Sequence, residues 1–401
     1  MEKPTKHLVI AGGGFAGFWS AMSAVRRAME MGVRDNLKIT LINRDEYLGL
    51  RPRFYEAELA GTRIPLRNWL APLGITLIIG EIEGVIPASR RIQFVNGSRV
   101  LPDIAYDQLI LATGSRQAYP DFIGQGRVFN VDTFEDATTL DQHLRTLAAT
   151  HFPTPASRTF VVIGGSFTGL EIVTALPSRL RLFAPSISQF TIHLIERAPE
   201  IAPGYTPDAR QHIVKRLQHL GITVHTGQEG LRHENDQLIL ADNQRLSTET
   251  VILATGFMAS PLTAAFSGPR DRLGRIAVDT FLRLPEHPDV LAAGDVSLAK
   301  TDPDHYAVMS CQHAIPQGRT AGHNAASLLF NKDPLPYAQS RYITCLDLGP
   351  GDALTTAGWE RHLKTIGPEG KAIKTEIVNQ LVPPPTDIAD TLAMASPVTS
   401  S

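Results

Sequence analysis

The chain has 401 residues, of which 43% are hydrophobic and 19% are charged, and its formal net charge is −2. This composition is typical of a globular protein with two or three domains, and it excludes a disordered chain or a strongly basic nucleic-acid-binding protein. Two cysteines exclude a disulfide scaffold, and no run of about 18 apolar residues predicts a membrane-spanning helix. We therefore expect a cytoplasmic protein.

The first predicted strand leads into a glycine cluster, because residues 7–17 read HLVIAGGGFAG. This is the G-x-G-x-x-G pattern of a dinucleotide-binding unit, in which a pyrophosphate meets backbone N–H groups at a helix N-terminus. The helix is predicted from Phe15 to about Met31, and the next strand ends at Asn43, where the adenosine ribose is expected. Asparagine replaces the usual acid there but can still hydrogen-bond a ribose hydroxyl. The residues predicted to contact this nucleotide are Gly12, Gly14, Phe15, Ala16, Gly17, Asn43 and Arg44.

The same order of elements returns in the second half of the chain. Residues 160–169 read FVVIGGSFTG, with Ser166 at the position of the middle glycine, and the next strand ends at Glu196. Each half closes with a similar apolar run and the same Ala-Thr-Gly turn, at residues 109–114 and 251–256. Two such units predict a protein that holds two dinucleotides, which indicates electron transfer. The remaining predicted contacts are Ala112, Thr113 and Gly114 in the first site, and Gly164, Gly165, Ser166, Gly169, Glu196 and Gly256 in the second.

Glu196 predicts which nicotinamide nucleotide binds. Its carboxylate can accept hydrogen bonds from the ribose of NADH, and at contact it would repel the 2′-phosphate of NADPH by up to about 4 kcal/mol at an effective dielectric constant of about 20. Arg197 is the opposing signal, since a guanidinium can pair with that phosphate. We expect NADH, with NADPH as the less favoured nucleotide.

A third motif indicates a flavin. Residues 288–296 read PDVLAAGDV, a strand-like run that ends in Gly294 and Asp295. A carboxylate at a strand end can accept hydrogen bonds from ribitol hydroxyls, and glycine permits close backbone approach. After two paired glycine motifs, we predict that both residues contact a flavin.

On these motifs the chain resembles the two-dinucleotide-domain flavoproteins of the pyridine nucleotide–disulfide oxidoreductase superfamily, over residues 7–324, and among them the type II NADH dehydrogenases. The resemblance implies that the first site holds FAD and the second holds NAD(P)H. It implies an α/β fold with two Rossmann-like dinucleotide-binding domains and a small C-terminal α+β domain. The expected divisions are residues 1–115 and 276–333 for a discontinuous FAD-binding domain, 116–275 for an inserted NAD(P)H-binding domain, and 334–401 for the C-terminal domain and tail.

The branch of the superfamily is indicated by missing cysteine pairs. Disulfide reductases of the superfamily carry a C-x4-C or C-x2-C pair beside the cofactors, and this sequence has neither. Residues 43–61 resemble instead the arginine–proline loop of quinone-reducing members, which implies that Arg51 lies near the FAD pyrophosphate. Sulfide:quinone oxidoreductases use distant cysteines, but we interpret Cys311 and Cys345 as ordinary small apolar residues.

Residues 310–318 read SCQHAIPQG and are similar to the A-Q-x-A-x-x-x-G stretch of type II dehydrogenases, where a helix N-terminus points at the flavin. Ser310 is predicted to cap this helix, and Pro316 is expected to kink it. The positive end of the helix would stabilise negative charge on a reduced flavin. The predicted catalytic residues are Gln312 and His313 over the flavin, with His313 a candidate proton donor, and Gln317 on the acceptor side.

Glu171 lies two residues after the last glycine of the second motif, in the predicted first turn of its helix. A carboxylate in that turn is favoured by the helix dipole by about 0.3–1 kcal/mol. The resemblance also implies a catalytic role, in which Glu171 orients the nicotinamide against the flavin ring. The two roles are compatible.

After Pro334 the sequence predicts a smaller α+β domain. Strands are expected over residues 342–348 and 353–356, and residues 371–382 have the apolar spacing of a helix. Type II dehydrogenases attach to the membrane through amphipathic helices in the corresponding region, whereas three consecutive prolines at residues 383–385 leave room for one short helix. We expect core docking, with at most a weak peripheral contact at the inner face of the membrane.

Three functions remain open from the sequence, and oxidation of NADH with a quinone as acceptor is the leading one. The second is electron transfer to a ferredoxin-like protein, which predicts a basic docking surface near the flavin. Arg51, Arg53, Arg63 and Arg67 could supply this surface, although Glu56 and Glu58 interrupt it. The third is a non-catalytic NADH sensor, like relatives of apoptosis-inducing factor. The thirteen histidines have no ligand-like spacing, so no metal site is predicted.

Overall fold

The computed structural model describes residues 5–120, 127–187 and 189–397. Eight α-helices lie in these ranges, and they are labelled in chain order. They are α1 (Phe15–Glu30), α2 (Arg67–Leu70), α3 (Phe134–Ala149), α4 (Phe167–Phe183), α5 (Pro207–His219), α6 (Cys311–Leu329), α7 (Gly367–Glu376) and α8 (Ile388–Met394).

The first of two large sheets is six-stranded and joins two separate stretches of the chain. Its strands are parallel except for one antiparallel edge strand, and most residues of its four inner strands are buried, as a sheet covered on both faces requires. The spatial order is Arg283–Leu284, His287–Ala292, Gln108–Leu111, Lys6–Ala11, Leu37–Asn43 and Thr76–Ile79.

The second large sheet has five parallel strands and repeats the design of the first. The spatial order is Val128–Phe129, Thr250–Leu253, Thr159–Ile163, Thr191–Glu196 and Ile222–Thr226. In each sheet the strand before the glycine motif is central, and a helix follows it directly. Two such sheets confirm the predicted α/β fold with Rossmann-like units.

Smaller antiparallel and two-stranded sheets decorate these units. One group contains Glu81–Ile86, Arg91–Asn96, Arg99–Val100 and Ile104–Ala105, and another contains Gly230–Glu234, Gln237–Leu240 and Arg245–Ser247. The two-stranded pairs are Tyr47–Gly49 with Arg63–Pro65, Ser115–Gln117 with Phe257–Ala259, and Ile276–Ala277 with Ser297–Leu298.

The C-terminal region forms a three-stranded antiparallel sheet, Ile343–Asp347, Ala353–Ala357 and His362–Thr365, followed by α7, a π-helical turn (Ile377–Leu381) and α8. The apolar side chains of this sheet join one hydrophobic cluster with those of α4, so the sheet docks on the helix of the second glycine motif. Helix α8 docks on the first unit, where the Trp69 indole N–H donates to the Thr391 hydroxyl of α8 at 3.2 Å and to the preceding Pro385 carbonyl at 3.0 Å. Among the described residues, none of the helices has the length and apolarity needed to cross a bilayer.

Helix α6 packs along α1 at two glycines one turn apart. A Cβ at Gly318 or Gly322 would overlap the backbone of α1, so only glycine allows this approach. The kink expected at Pro316 does not end the helix, which continues to Leu329. Proline removes the N–H that would bond the Gln312 carbonyl, and the Gln339 side chain donates to that oxygen instead, at 3.0 Å.

Candidate active site

The first glycine motif forms a cradle at the N-terminus of α1. No side chain caps this helix, and its first turn contains no acidic residue, so its N–H groups suit an anion. A Cβ at Gly14 would meet nothing within 4 Å, so the space in front of the helix is open. The nearby Thr113 hydroxyl is buried without a partner. This open cradle and the orphaned hydroxyl fit the pyrophosphate of a dinucleotide such as FAD.

The second glycine motif has the same backbone features as the first. Gly12 and Gly164 both have positive φ angles, +103° and +107°, and each contacts the backbone of the following Ala-Thr-Gly turn, at Ala112 and Ala254. Ser166 is the N-cap of α4, with a φ of −77°, and its hydroxyl donates to the Ala254 carbonyl at 3.3 Å. The internal repeat seen in the sequence is therefore present in the backbone.

The two residues predicted to meet ribose hold the glycine loops in place. Asn43 Oδ1 accepts from the Gly13 N–H at 2.9 Å. Glu196 does the same for the Gly165 N–H at 2.6 Å, and its other oxygen accepts from Ala198 at 2.7 Å. Both side chains therefore order the loop beside a nucleotide site.

Asp295 and Arg51 meet where the two nucleotide-binding units join. The Ser115 hydroxyl donates to Asp295 at 2.6 Å, and Arg51 Nη1 lies 3.6 Å from the same carboxylate. The Arg51 guanidinium also pairs with Asp132 and lies 4.2 Å from the centre of the Phe257 ring. Arg51 therefore lies beside Asp295, whose carboxylate is predicted to contact the flavin ribitol. The resemblance to the arginine–proline loop did not imply this contact between Arg51 and Asp295.

Gln317 is held in the protein interior beside the turn that contains Gly294 and Asp295. Its side chain is buried, and its amide oxygen accepts from the Gly294 N–H at 2.7 Å and from the Ser297 hydroxyl at 2.6 Å. Gln317 therefore supports the turn that carries Asp295, and its position on the acceptor side stays a prediction.

Gln312 and His313 are held by neighbours at the start of α6. In the amide orientation that satisfies both of its atoms, Gln312 donates to the Ile343 carbonyl at 2.6 Å and accepts from its N–H at 3.1 Å. Ser310 is the N-cap, but its hydroxyl contacts His313 Nδ1 at 3.0 Å instead of capping the helix. Burial lowers the pKa of His313 to about 4, with Arg275 contributing, so the ring is neutral at pH 7. A neutral imidazole is a poor proton source, which counts against His313 in that role.

Glu171 is the fifth residue of α4, because the helix begins at Phe167. It therefore lies beyond the first turn, and the predicted helix-dipole role is wrong. Its carboxylate is paired with Lys374 Nζ at 2.7 Å, and it accepts from the Asp347 N–H at 3.2 Å. We call Glu171 and Lys374 the inner pair; their side chains are only 5% and 7% exposed. Burial raises the pKa of Glu171 from 4.5 to about 7, and the Lys374 ammonium opposes this rise.

The inner pair lies near the N-termini of α4 and α6. Lys374 Nζ is 5.6 Å from the centre of the Phe167 ring, at the first residue of α4. Its charge also acts on Cys311, the first residue of α6. The sequence analysis missed Lys374, although a lysine on the apolar face of a predicted helix was an available signal.

A groove of about 310 Å³ opens beside the inner pair, and Lys374 is part of its wall. Asp347 and Lys371 lie in the same wall, with Lys371 Nζ 2.6 Å from the Asp347 carboxylate. The Tyr55 hydroxyl donates to Asp347 at 2.9 Å.

The arginines expected to form a basic docking surface are neutralised by acidic neighbours. Each of the four guanidinium groups has a carboxylate within ion-pair distance, so little net positive charge remains for an acidic partner. The pairs are Arg51–Asp132, Arg53–Glu56 (2.8 Å), Arg63–Glu135 (3.6 Å) and Arg67–Glu46 (3.7 Å).

The two cysteines are free thiols. Burial raises the pKa of Cys311 and of Cys345 to about 11, although the Lys374 ammonium lowers both. Neither is a reactive thiolate at neutral pH. Within the described ranges, no group of three or more His, Cys, Asp and Glu side chains is arranged to hold a metal ion.

Known proteins share this architecture. An NADH dehydrogenase-like protein of Mycobacterium tuberculosis is 36% identical over 396 residues, which are 97% of this chain and 98% of the relative. A type II NADH:quinone oxidoreductase of Staphylococcus epidermidis is 24% identical over 375 residues, 88% of this chain and 90% of the relative. The structure of NDH2 from Plasmodium falciparum in complex with NADH has a TM-score of 0.77 at 15% identity, and the match covers 98% of this chain and 97% of that one.

The family model for pyridine nucleotide-disulphide oxidoreductases matches residues 6–318, which include both glycine motifs and the Gly294–Asp295 turn. This match confirms the resemblance inferred from the motifs, and membership implies that FAD and NAD(P)H bind. The chain belongs to the pyridine nucleotide-disulphide oxidoreductase family and is an oxidoreductase of the NADH dehydrogenase type.

Proposed function

We propose that this protein oxidises NADH through FAD and delivers the electrons, together with a proton, to a quinone-type acceptor. The observation that carries the proposal is the inner pair near the N-termini of α4 and α6. A quinone takes up protons as well as electrons, whereas an iron–sulfur protein takes up electrons alone. A buried carboxyl group with a pKa of about 7 can hold and release a proton near neutral pH, which serves the first kind of acceptor.

Several residues support the cofactors in this proposal. Bound FAD supplies the redox chemistry, because it accepts hydride from NADH and passes electrons to the acceptor. The N-termini of α1 and α4 bind the two pyrophosphates. Gln317 fixes the turn that presents Asp295 to the flavin ribitol. The N-terminus of α6 stabilises negative charge on the flavin, and the C-terminal sheet covers the inner pair, whose side chains are only 5% and 7% exposed.

The proton balance assigns a role to Glu171. NADH, one proton and a quinone give NAD⁺ and a quinol, so hydride supplies the electron pair and one proton. The second proton must come from solvent. In the proposal, protonated Glu171 gives that proton to the quinone oxygen and is then reprotonated. The alternative implied by the resemblance, that Glu171 orients the nicotinamide, stays a prediction.

The acceptor is tested by anaerobic half-reactions. The purified protein is reduced with NADH, and reoxidation is timed with menaquinone and ubiquinone analogues, ferredoxin and oxygen. We expect the quinones to be fastest. Faster reoxidation by ferredoxin would favour the protein acceptor, and slow reoxidation by all of them would favour an NADH sensor. Because quinones dissolve in the bilayer, the proposal also implies that the protein contacts the inner face of the membrane from the cytoplasm.

Glu171→Gln tests the role of the carboxyl group. The amide has the same shape but cannot transfer a proton, so we expect quinone to reoxidise the flavin about 10²-fold more slowly. Ferricyanide accepts electrons without protons, and its rate should not change. If reduction by NADH slows instead, Glu171 orients the nicotinamide and does not supply the proton.

Glu196 carries the proposed preference for NADH. Its carboxylate is fixed by two N–H donors at the end of its strand, beside exposed Arg197. We expect Glu196→Ala to raise the ratio of kcat/KM for NADPH over NADH at least about tenfold, because contact repulsion reaches about 4 kcal/mol before solvent screening. Arg197→Ala is the control and should lower the use of NADPH. A wild-type protein that prefers NADPH would contradict the assignment.

A further inference from the structure

A second acid–lysine pair stands outside the inner pair. Asp347 and Lys371, which we call the outer pair, are joined by two contacts of 2.7 and 2.6 Å. Lys371 is 30% exposed, whereas both members of the inner pair are nearly sealed from solvent. Lys371 and Lys374 are three residues apart on α7, so they lie on one side of the helix. The outer pair therefore lies nearer to solvent, and the inner pair lies deeper in the protein.

The outer pair is physically connected to the inner pair. The Asp347 N–H donates to Glu171 at 3.2 Å, so the acid of one pair positions the acid of the other. Tyr55 bridges them from the opposite wall: its hydroxyl donates to Asp347, and its ring centre lies 5.8 Å from Lys374 Nζ. All of these residues except Glu171 line the groove of about 310 Å³.

The groove is the route for proton entry that the groups around Glu171 favour. Apolar side chains of α4 and of the C-terminal sheet form one hydrophobic cluster in the same region. The groove wall is where a solvent molecule meets Lys374. The titratable groups that act on Glu171 or are acted on by it are Lys374, Asp347, Cys345, Tyr55 and Tyr205. Of these, only Asp347 belongs to an ion pair that reaches solvent.

We propose that Asp347 and Lys371 form the proton-entry site of this enzyme, which passes a proton from groove water through Lys374 to Glu171. After Glu171 has given its proton away, Lys374 passes one of its protons to Glu171 while it takes another from groove water, so Lys374 remains an ammonium. The hydroxide left in the groove takes a proton from the Lys371 ammonium, and Lys371 is reprotonated from solvent. One proton enters per turnover, and no electrons move in these steps. Asp347 is a positioning residue, since its charge holds Lys371 at the groove and its N–H holds Glu171.

This inference rests on the proposed function, because an entry site is needed only when the acceptor takes up protons. It is tested with Asp347→Asn and Lys371→Met. Glu56→Gln is the matched control, since it removes a carboxylate from the same groove outside both pairs. Three oxidants are compared after reduction by NADH: a quinone analogue, dichlorophenolindophenol, which takes up protons, and ferricyanide, which does not.

We expect both test variants to slow reoxidation by the quinone and the dye at least about tenfold. Ferricyanide rates and the control variant should not change. Adding a small acid such as imidazolium should restore part of the lost rate, because it brings protons into the groove directly. A purely structural role would slow all three oxidants alike and would show no such rescue, which would overturn the inference.

A spectroscopic titration gives a readout that does not depend on turnover. The carboxyl band of protonated Glu171 is followed by difference infrared spectroscopy against pH, with Glu171→Gln to identify the band. The Asp347 charge raises the pKa of Glu171, so Asp347→Asn should lower the midpoint. An unchanged midpoint together with unchanged dye rates would refute the entry site. If the wild-type protein ignores quinones while the dye and ferricyanide rates still diverge in the variants, the quinone acceptor is wrong and the entry site stands.

Discussion

Gly14→Ala is expected to leave the fold intact and to weaken FAD binding. Gly14 has φ −69°, which alanine adopts freely, and a Cβ there would meet no protein atom within 4 Å. The chain itself has a Cβ at the matching position of the second site, Ser166, and α4 forms normally. The added methyl group would instead occupy the space in front of α1, where the pyrophosphate is proposed to bind. We expect a loss of about 1–3 kcal/mol in FAD affinity, the usual cost of an extra methyl group in a packed site.

Gly17→Ala is the matched comparison, and we expect it to destabilise the folded protein. A Cβ at Gly17 would overlap the backbone of Gly12, so α1 would have to move away from the central strand. Because backbone atoms are involved, we expect a loss above about 3 kcal/mol in the free energy of unfolding. Flavin absorbance per mole of protein, FAD titration and thermal unfolding by circular dichroism separate the two variants. A Gly14→Ala protein whose FAD affinity is unchanged in the titration would mean that the pyrophosphate does not approach α1 at this residue.

The repeat of the glycine motif could be predicted from the sequence because the local backbone geometry requires glycine at fixed positions. A residue at φ +103° that touches the adjacent turn must be glycine, and the same demand recurs at Gly164. Apolar runs bounded by such glycines give the strands, their order and the α/β class. Features that depend on one segment and its immediate neighbours can therefore be predicted from the sequence.

Features that depend on contacts between distant segments could not be predicted from the sequence. Glu171 was identified, but its partner Lys374 is 203 residues away and meets it only because the C-terminal sheet docks on α4. The docking arginines and the nearby Glu56 could be read from the sequence, whereas the distant partners Asp132 and Glu135 could not be assigned. The supporting role of Gln317 depends on a contact with Gly294, which only the packed structure reveals.

The inner pair also controls stability, and Lys374→Met should show this most clearly. The substitution leaves Glu171 buried without its cation, and breaking a buried ion pair in this way typically costs about 3–5 kcal/mol. The cost depends on pH. Burial raises the pKa of Glu171 from 4.5 to about 7 in the folded protein, and it should rise further when the opposing ammonium is removed. An acid with a raised folded-state pKa favours the folded protein while it is protonated, so stability falls as pH rises from 4.5 towards the folded-state value.

We therefore expect Lys374→Met to be mildly destabilised at low pH and strongly destabilised above neutrality, with an extra loss of up to about 1.4 kcal/mol per pH unit in the interval between the wild-type and variant pKa values of Glu171. Urea unfolding followed by tryptophan fluorescence at several pH values measures this difference. Glu171→Gln combined with Lys374→Met removes the buried charge and should recover most of the loss. Lys371→Met, which breaks a partly exposed pair, should cost about 1 kcal/mol or less. A loss in Lys374→Met that is the same at every pH would mean that Lys374 fills space without governing the ionisation of Glu171, and the proton-holding role of the inner pair would fall with it.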